Sequence, residues 1–586
     1  MKLYKSLYLV MLCVSAIFIG CKEDNLTAEV PEAGNGQLVG DLQFVLPGEE
    51  NSISHRLSGE EIVFELRQGK NGSRDVVAEF DDSEETLAEL TKKYADFKGI
   101  SLYKLLDRDK YTLPESVIMN KEQTSVTISI KINNQDDGTY VLPLVLKSGD
   151  EEVGLQFVEI VNSEDFNIDM TWVDRTPTVE EPRIVAIVEA TENDLRNIGN
   201  YMLYPYGESQ PEKKRPLFDM AVIFSANVNF DEFSCKPVLY YNEDVKRILD
   251  NIDIFVRPLQ EKGIKVLLSI MPNHQGIGFS NLDISNDRKM IKDFAADISS
   301  AVSKYGLDGV MFDDEYADYP ASLEAVQPGR PMIQMGSFHF LIKELRDLMP
   351  YVEGQQWKDR KNIITMYNIG YNSNSRTGER GWCLFSNDFD YIKNGDGKWN
   401  DDDMSESRKA VREWVKNPEN QPVLDELAEI KVGELLDYVW NANYQKADNY
   451  NQSNEGNRSD GTWIAGMDAE VAKQKFGVAS FEMSLEADQY EGIRHVKIYW
   501  EEPDGTGSGT RTESKGETLK TQKESGQTSM ITFNVQYVPD TWKDSPFTNI
   551  YLQDYEGFFK GLGNTNSPVV EFEGTNYDTM TPSYLR

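Results

Sequence analysis

From Ile184 onward the sequence alternates apolar, strand-like runs with amphipathic, helix-like segments, and this alternation constrains the fold more than any other feature. The strand-like runs are almost continuously apolar, which indicates a parallel sheet buried by helices. The number of elements predicts a (β/α)8 barrel, whose functional groups would lie at the carboxyl ends of the strands. The predicted strands are Ile184–Glu189, Met220–Ala226, Ile264–Met271, Gly309–Glu315, Ile363–Ile369, Leu436–Asn441, Gly477–Met483 and Ile531–Tyr537, and the predicted helices are Asn242–Lys262, Asn286–Tyr305 and Ser337–Met349.

The part of the chain before the barrel shows a different pattern. Over residues 39–174, short apolar runs such as the alternating Ser125–Ile130 are separated by clusters of Asn, Asp and Gly. This pattern predicts an antiparallel β-sandwich domain. One helical stretch, Ser83–Phe97, interrupts the strands.

The domain boundaries are predicted from composition. Residues 176–182 contain two prolines and are predicted to link the sandwich to a barrel over residues 183–586. The chain from about residue 484 is predicted as an insertion or a small extra β region, because the stretch from Gly505 to Gln527 is polar.

The N-terminus has the layout of an export signal. Basic Lys2 and Lys5 precede an apolar run that ends at Gly20-Cys21, so residues 1–20 are predicted to be a signal peptide. Phe18-Ile19-Gly20-Cys21 resembles the bacterial lipoprotein box, which implies lipidation of Cys21. Residues 21–38 would then be a tether, and the protein an outer-membrane lipoprotein exposed at the cell surface. The alternative is a secretory signal followed by an unmodified cysteine.

Charge and cysteine content exclude several classes of function. The chain has 98 acidic and 60 basic side chains and a formal net charge of −38, which repels nucleic acid and anionic lipid headgroups and favours a neutral substrate. Its 28 Tyr, 26 Phe and 9 Trp either form the core or stack on apolar sugar faces. The four cysteines form no CxxC motif or Cys/His cluster, so we predict no metal site and no cofactor.

The most informative segment is Leu307–Tyr316, which ends in Asp313-Asp314-Glu315-Tyr316. Side chains alternate along a strand, so Met311, Asp313 and Glu315 share one face. Two residues one strand period apart lie about 6–7 Å apart at the backbone. If both carboxyl groups are partly buried they cannot easily ionise together, so the pKa of one is raised, as a general acid requires. The alternative is a surface loop that happens to be acidic.

This segment resembles glycoside hydrolase family 18, whose signature is Asp-Gly-x-Asp-x-Asp-x-Glu. The match from Asp308 to Glu315 has one departure, Met311 in place of the first Asp after the Gly. The Asp-Asp-Glu-Tyr run is similar to that of endo-β-N-acetylglucosaminidases of the endoglycosidase H and F1 type. Further similar segments are Ile184–Tyr201, Asp219–Phe230, Asn242–Phe279, Met366–Gly370 and Asp437–Asn441. Thr139–Leu144 resembles the β-sandwich of unknown function that precedes glycan-degrading domains in surface lipoproteins.

The resemblance implies substrate-assisted, retaining hydrolysis of the N,N'-diacetylchitobiose core of N-linked glycans or glycoproteins, with high-mannose or hybrid chains favoured. It implies that Glu315 is the general acid and that Asp313 holds the 2-acetamido group of the substrate. The further candidates for substrate binding are Tyr367, Asn441, Gln275, Tyr444, Glu189 and Asn368, for which hydrogen bonding at the barrel rim without substrate is the alternative.

Two other functions remain open at this point. A chitinase would share the Asp/Glu pair, but its subfamily usually carries Met-x-Tyr-Asp at the sixth strand, where this chain has Val439-Trp440-Asn441. A non-catalytic glycan-binding protein could retain the barrel. The presence of both Asp313 and Glu315 favours an enzyme.

Overall fold

The structure is a computed structural model of the 586-residue chain. It describes residues 42–533 except 49–51, 58, 69–73, 99–102, 135, 137, 150, 163–167, 169, 211, 352–353, 370–378, 395–404, 443–460, 478–479 and 483–522, and also describes 535, 555–556, 558–574 and 577. The chain divides into two compact units, residues 1–164 with 582–586, and residues 165–581. The segment predicted as a linker, residues 176–182, therefore lies inside the second unit.

In its described residues, the first unit is a β-sandwich with one α-helix. Its strands are β1 (Leu42–Val45), β2 (Ser54–Arg56), β3 (Glu61–Gln68), β4 (Val76–Asp81), β5 (Lys104–Leu105), β6 (Tyr111–Thr112), β7 (Val117–Met119), β8 (Ser125–Ile132), β9 (Gly138–Ser148) and β10 (Glu151–Asn162), and helix α1 is Glu84–Lys98. One sheet has the order β1-β3-β8-β6, and the other has β2-β10-β9-β4-β7 with β5 beside β9. Strand β8 alternates as predicted, with Ile128, Ile130 and Ile132 buried in the shared core.

The second sheet of the sandwich is mixed, which corrects the prediction of a purely antiparallel domain. Strand β2 pairs with β10 in parallel, and β5 pairs with β9 in parallel. An alternating sequence reports which face of a strand is buried but carries no information about the direction of its neighbour. The short strands β2 and β5 could therefore not be oriented from the sequence.

The second unit contains the predicted barrel. Its strands are β11 (Arg183–Glu189), β12 (Tyr201–Tyr204), β13 (Arg215–Pro216), β14 (Met220–Asp231), β15 (Lys236–Tyr240), β16 (Lys265–Pro272), β17 (Gly309–Asp313), β18 (Ile363–Ile369), β19 (Tyr438–Ala442), β20 (Phe476–Gly477), β21 (Ser480–Glu482), β22 (Ser529–Phe533) and β23 (Val569–Phe572). The main sheet has the order β20-β19-β18-β17-β16-β14-β11-β22-β21, and all of these pairings are parallel.

The sheet nearly closes on itself. Strand β20 pairs with β19 on one side, and β21 pairs with β22 on the other. These two short strands lie in the segment predicted as the seventh strand, and β22 lies where the eighth was predicted to begin. The expectation of a (β/α)8 barrel is confirmed. Strands β12, β13 and β23 form a separate antiparallel sheet, and β15 pairs with the end of β14 in an antiparallel hairpin.

Helices surround the barrel strands. The described helices of this unit are α2 (Met170–Val173), α3 (Glu243–Asp250), α4 (Ile252–Phe255), α5 (Arg257–Glu261), α6 (Lys289–Tyr305), α7 (Ser337–Leu348), α8 (Glu379–Phe385), α9 (Phe389–Asn394), α10 (Glu406–Lys416), α11 (Gln421–Glu429), α12 (Val432–Leu435) and α13 (Ala469–Lys475). The single helix predicted over Asn242–Lys262 is broken into α3, α4 and α5. Pro258 stands in the first turn of α5, where its missing N–H is tolerated but would interrupt a continuous helix.

Three buried aspartates join neighbouring strands at the amino-terminal end of the barrel. Each immediately precedes a strand, and its carboxylate accepts a hydrogen bond from a backbone N–H of the strand before it. The pairs are Asp219 with Ile184 at 2.9 Å, Asp308 with Val266 at 2.8 Å, and Asp437 with Ile364 at 2.8 Å. Each carboxylate also meets a basic side chain: Arg183 at 2.6 Å, Lys361 at 2.6 Å and Arg346 at 2.7 Å, respectively. The same electrostatic contact is therefore repeated around the barrel base.

We expect Asp219→Asn to lower the free energy of unfolding at pH 7 by about 3–5 kcal/mol, since it removes one member of a buried ion-pair cluster. Burial alone would raise the pKa of Asp219, but Arg175, Arg183 and Arg215 hold this pKa well below its ordinary value of 3.8. The ionised carboxylate thus stabilises the folded state above about pH 4, and this contribution is lost as the pH falls further.

The measurement is thermal and denaturant unfolding of wild type, Asp219→Asn and the exposed control Asp253→Asn between pH 7 and pH 2.5. The gap between wild type and Asp219→Asn should stay constant down to about pH 4 and narrow below it. A gap that widens with acid would contradict the assignment of Asp219 as a stabilising anion.

Candidate active site

The buried side chains inside the barrel show which face of β17 points inward. The buried cluster inside the barrel contains alternate residues of each strand, namely Val185, Ile187, Val222, Leu267, Met311, Ile363, Tyr367, Trp440 and Ile531. Asp313 is two residues after Met311 and pairs with Tyr367 in the β17–β18 register. Its side chain therefore points into the barrel at the carboxyl end of β17, where it is only 1% exposed.

The charges of three carboxyl groups act on the phenol of Tyr316. Glu315 follows the last residue of β17 and is 9% exposed, and Tyr316 turns the chain with a φ of 54°. The pKa of Tyr316 is raised by the negative charge of Glu315, by burial, and by the charges of Asp313 and Glu189. The two residues predicted to be catalytic and Glu189 of the first barrel strand thus share one electrostatic environment.

Glu189 is an inward-facing carboxyl with an altered acidity. It is the last residue of β11, two positions after the core residue Ile187. Burial, reinforced by the charge of Glu192, raises the pKa of Glu189 to about 7, against a smaller opposing effect of a hydrogen bond from Thr191. Near neutral pH this carboxyl is partly protonated, so it is able to donate a hydrogen bond as well as accept one.

Asp314, which the sequence analysis did not assign, anchors the candidate catalytic segment on the side that faces away from the barrel interior. Its side chain is fully buried and faces away from the barrel interior. The carboxylate accepts hydrogen bonds from the Tyr319 hydroxyl at 2.5 Å, the Ser280 hydroxyl at 3.2 Å and the Phe279 N–H at 3.4 Å. Asp314 therefore ties the residue between Asp313 and Glu315 to the loop after β16. The alternation of side chains along a strand could have predicted from the sequence that Asp314 faces away from Asp313 and Glu315.

Trp440, rather than a polar side chain, lies beside Tyr367 inside the barrel. Trp440 pairs with Tyr367 in the β18–β19 register, is fully buried, and donates from Nε1 to the Ser529 hydroxyl at 2.9 Å. Its ring stacks on Tyr438 with 5.2 Å between ring centroids. The predicted substrate contact Asn441 follows Trp440, is also fully buried, and pairs with Asn368 in the same register.

The loop after β16 contributes contacts to the rim. The Gln275 side-chain oxygen accepts a hydrogen bond from the Phe230 N–H at 2.6 Å. The exposed His274 ring lies 2.9 Å from the Asp318 carboxylate. The backbone N–H of His274 donates a hydrogen bond to the backbone carbonyl of Tyr316 at 2.7 Å. These contacts join the loop to the hairpin of β14 and β15 and to the turn at Tyr316. Tyr444 lies outside the described residues.

Met311 packs in the barrel interior where the family signature has Asp. It is fully buried and lies in register with Ser269 on one side and Thr365 on the other. Among the described residues, neither hydroxyl has a hydrogen-bond partner. The apolar side chain fills this position without adding a third inward carboxyl to β17. Within the described part of the chain, no group of three or more His, Cys, Asp or Glu side chains is arranged to hold a metal ion.

The sequence is similar to two curated enzymes. A protein of Flavobacterium sp. (strain SK1022) named endo-β-N-acetylglucosaminidase is 40% identical over 195 residues, which are 33% of this chain and 53% of the relative. Endo-β-N-acetylglucosaminidase F1 of Elizabethkingia meningoseptica is 37% identical over 137 residues, 23% of this chain and 37% of the relative. This chain resembles the endo-β-N-acetylglucosaminidases. The resemblance inferred from the β17 motif is thereby confirmed. The chain spans about half the length of the first relative and a smaller share of the second.

The chain is also similar to a family model and to solved structures. A family model described as a "-like, N-terminal domain" matches residues 44–153. The crystal structure of Bacteroides thetaiotamicron EndoBT-3987 with Man5GlcNAc product aligns at 19% identity over 92% of this chain and 97% of its own, with a TM-score of 0.40. A family 18 chitinase from Pseudoalteromonas aurantia aligns at 13% identity over 64% of this chain and 99% of its own, with a TM-score of 0.32.

We expect Glu189→Gln to stabilise the barrel at alkaline pH and to have little effect at acidic pH. A carboxyl whose folded pKa is about 7 rather than the ordinary 4.5 stabilises the folded state while protonated, and this contribution is lost as the pH rises through 7. As the pH rises from 4 to 8, the free energy of unfolding of the mutant should increase by roughly 1–3 kcal/mol relative to that of wild type, after allowance for partial exposure.

Unfolding curves at pH 4, 6 and 8 provide the measurement. The exposed Glu324→Gln serves as a control for the same chemical change, and its difference from wild type should not follow this trend. If Glu189→Gln shows the same difference from wild type at all three pH values, Glu189 does not have the raised pKa.

Proposed function

We propose that this protein is an endo-β-N-acetylglucosaminidase that hydrolyses the β-1,4 bond between the two N-acetylglucosamines of the N-linked glycan core. The observation that carries the proposal is the placement of Asp313 and Glu315 at the carboxyl end of the fourth barrel strand, beside Tyr316. The 40% identity to a named endo-β-N-acetylglucosaminidase supports the same activity. The formal net charge of −38 is compatible with a neutral glycan and disfavours nucleic acid as a partner.

We assign each group a role in substrate-assisted catalysis from the resemblance to family 18. Glu315 donates its proton to the glycosidic oxygen, while the 2-acetamido oxygen of the substrate attacks C1 and the bond to the leaving sugar breaks. Asp313 accepts a hydrogen bond from the acetamido N–H and stabilises the positive charge of the oxazolinium ion. Glu315 then takes a proton from the water that opens this ring. The Tyr316 phenol is protonated near neutral pH even without the upward shift of its pKa, so it is able to donate a hydrogen bond to the same groups.

The barrel supplies further polar contacts for the sugar that carries the acetamido group. Tyr367 lies beside Asp313 in the strand register, and Glu189 faces the same space from the first strand. We propose that both contact this sugar, with Gln275 and Tyr444 as further candidates. Asn368 and Asn441 each follow an inward-facing residue, Tyr367 and Trp440, so strand alternation places them on the other face of the sheet and does not favour their predicted contact with substrate. Trp440, beside Tyr367, and Tyr438 form a stacked aromatic pair inside the barrel. High-mannose or hybrid glycans are the favoured substrates because the similar enzymes of the endoglycosidase H and F1 type act on them.

Glu315→Gln is expected to lower kcat about 10² to 10⁴ fold, because it deletes the proton donor while it preserves the shape of the side chain. Asp313→Asn should also lower kcat strongly, since it removes the negative charge opposite the developing oxazolinium ion. Glu429→Gln, an exposed substitution at the end of α11, is the matched control and should retain wild-type rates.

The assay incubates each variant with a high-mannose glycoprotein, a complex-type glycoprotein and chitin oligomers, and identifies the reducing ends released. Release of glycans that end in a single N-acetylglucosamine supports the proposal. Cleavage of chitin oligomers alone would indicate a chitinase, and binding without cleavage of any substrate would indicate a glycan-binding protein. Near wild-type rates in Glu315→Gln would refute the assignment of the acid.

We further propose that the protein is a lipoprotein of the outer membrane, anchored at the cell surface through Cys21. The supporting observation is the sequence from Lys2 to Cys21, which lies outside the described residues. Among the residues that the structure describes, no helix is long and apolar enough to cross a membrane. A lipid on Cys21 would supply the anchor.

Cys21→Ala should move the protein from the membrane fraction to the soluble fraction, because it removes the site of lipid attachment. Its rate with a soluble glycopeptide should match that of wild type, since residue 21 belongs to the first unit and the candidate active site belongs to the second. Fractionation of cells and immunoblotting measure the first effect. Continued sedimentation of Cys21→Ala with membranes would show that the lipid on Cys21 is not the anchor.

A further inference from the structure

The hairpin of β14 and β15 extends beyond the barrel at the candidate catalytic end. Phe224 of β14 pairs with Glu189, and β14 then continues to Asp231 while it pairs with β15 in antiparallel register. At about 3.3 Å per residue, Phe230 lies roughly 20 Å along the strand from the level of Glu189. The sequence analysis predicted that this strand would end at Ala226, so the extension is visible only in the structure.

The tip of the hairpin has a well-defined turn. The Asp231 carboxylate accepts hydrogen bonds from the Phe233 N–H at 3.1 Å, the Ser234 N–H at 3.3 Å and the Ser234 hydroxyl at 2.5 Å. These bonds hold the backbone on both sides of Phe233. The Phe233 side chain is nevertheless fully exposed, at 102% of the reference area.

The hairpin is also fixed to the loops that carry the candidate site. Gln275 accepts the Phe230 N–H, and the Arg330 guanidinium stacks over the Phe230 ring at 4.1 Å. Arg330 forms an ion pair with Glu232 at the tip. A side chain at Gly329 would come within 2.6 Å of the Phe230 ring, so this loop approaches the hairpin as closely as a glycine permits. The hairpin tip and the loop Leu323–Arg330 thus form one rim.

Exposed apolar side chains concentrate on this rim. Phe233 lies on the hairpin, and Leu323 and Val326 are 69% and 39% exposed on the loop. Tyr316, 51% exposed, lies next to Glu315 and contacts the His274 ring at 5.1 Å between centroids. Burying such side chains is favourable, and clusters of them on a soluble surface usually mark a binding site. A ring held on a rigid turn also loses little conformational entropy on binding.

We propose that Phe233 is a stacking platform for a neutral sugar of the glycan, remote from the bond that is cleaved. This inference rests on the proposed function and deepens it by naming a site for the outer residues of the substrate. Apolar sugar faces pack on aromatic rings, and the net charge of the chain disfavours an anionic sugar. Because the hairpin extends β14 beyond the level of Glu189, we place the outer sugars of a branched oligosaccharide, rather than the disaccharide at the scissile bond, at Phe233.

The experiment compares two substrates that share the same scissile bond. The long substrate is a high-mannose glycan on asparagine, and the short substrate is an aryl glycoside of the chitobiose core without mannose antennae. Phe233→Ala should lower the ratio of kcat/KM for long over short substrate roughly threefold to tenfold, through KM. Phe233→Trp should keep the ratio. Leu348→Ala, an exposed apolar control at the end of α7, should leave both substrates unaffected.

Three outcomes would contradict the proposed stacking of Phe233 on a sugar. They are an unchanged ratio in Phe233→Ala, an equal loss on both substrates, and a loss that follows the attached peptide rather than the mannose residues. The last is tested by repeating the comparison with the glycan on a longer peptide.

Direct binding separates this inference from the proposed function. Titration calorimetry with free high-mannose oligosaccharide measures binding whether or not the protein hydrolyses it. If wild type cleaves neither substrate, the proposed function fails. Weaker binding by Phe233→Ala than by wild type and Phe233→Trp would then still support the platform. Equal binding by all three, or no binding by wild type, would overturn it.

Discussion

The parallel pairing of strands from β20 through β11 to β21 curls the sheet almost into a closed barrel, and the arrangement of the candidate site depends on this near-closure. Closure turns one face of every strand toward a shared interior, so residues far apart in the chain meet there. Glu189 of β11 and Asp313 of β17 act on the same Tyr316 phenol for this reason. A flat sheet with the same strands would leave them on a surface open to water.

The two ends of the barrel treat the same chemical group in opposite ways. At the amino-terminal end, Arg175, Arg183 and Arg215 overcome the effect of burial and lower the pKa of Asp219. At the carboxyl end, burial and the charge of Glu192 raise the pKa of Glu189 to about 7. At the amino-terminal end, ion pairs keep a buried carboxylate charged. At the carboxyl end, where the active site is proposed, burial favours the protonated form of a carboxyl group.

Asp314 illustrates how the fold supports the proposed catalytic pair from the opposite side of the segment. Asp313 before it points into the barrel, and the Asp314 carboxylate is held by Tyr319, Ser280 and Phe279 on the other side. These contacts restrict the backbone between Asp313 and Glu315. Met311, packed between Ser269 and Thr365, keeps the lower part of the strand apolar.

The sequence by itself determined the elements whose signal is local. Apolar runs predicted the positions of the barrel strands, and the two-residue period of a strand placed Asp313 and Glu315 together. Where local signals failed, the cause was a specific residue or partner: Pro258 broke a predicted helix, and the pairing of β15 with β14 extended a predicted strand.

Only the tertiary structure decided which distant residues meet. The proximity of Glu189 to Tyr316, the contact of Asp314 with the loop after β16, and the parallel pairing of β2 and β5 all join segments that are separate in the chain. Periodicity shows which face a side chain occupies but not what lies opposite it. That is settled by sheet closure and loop packing, which depend on the whole chain at once.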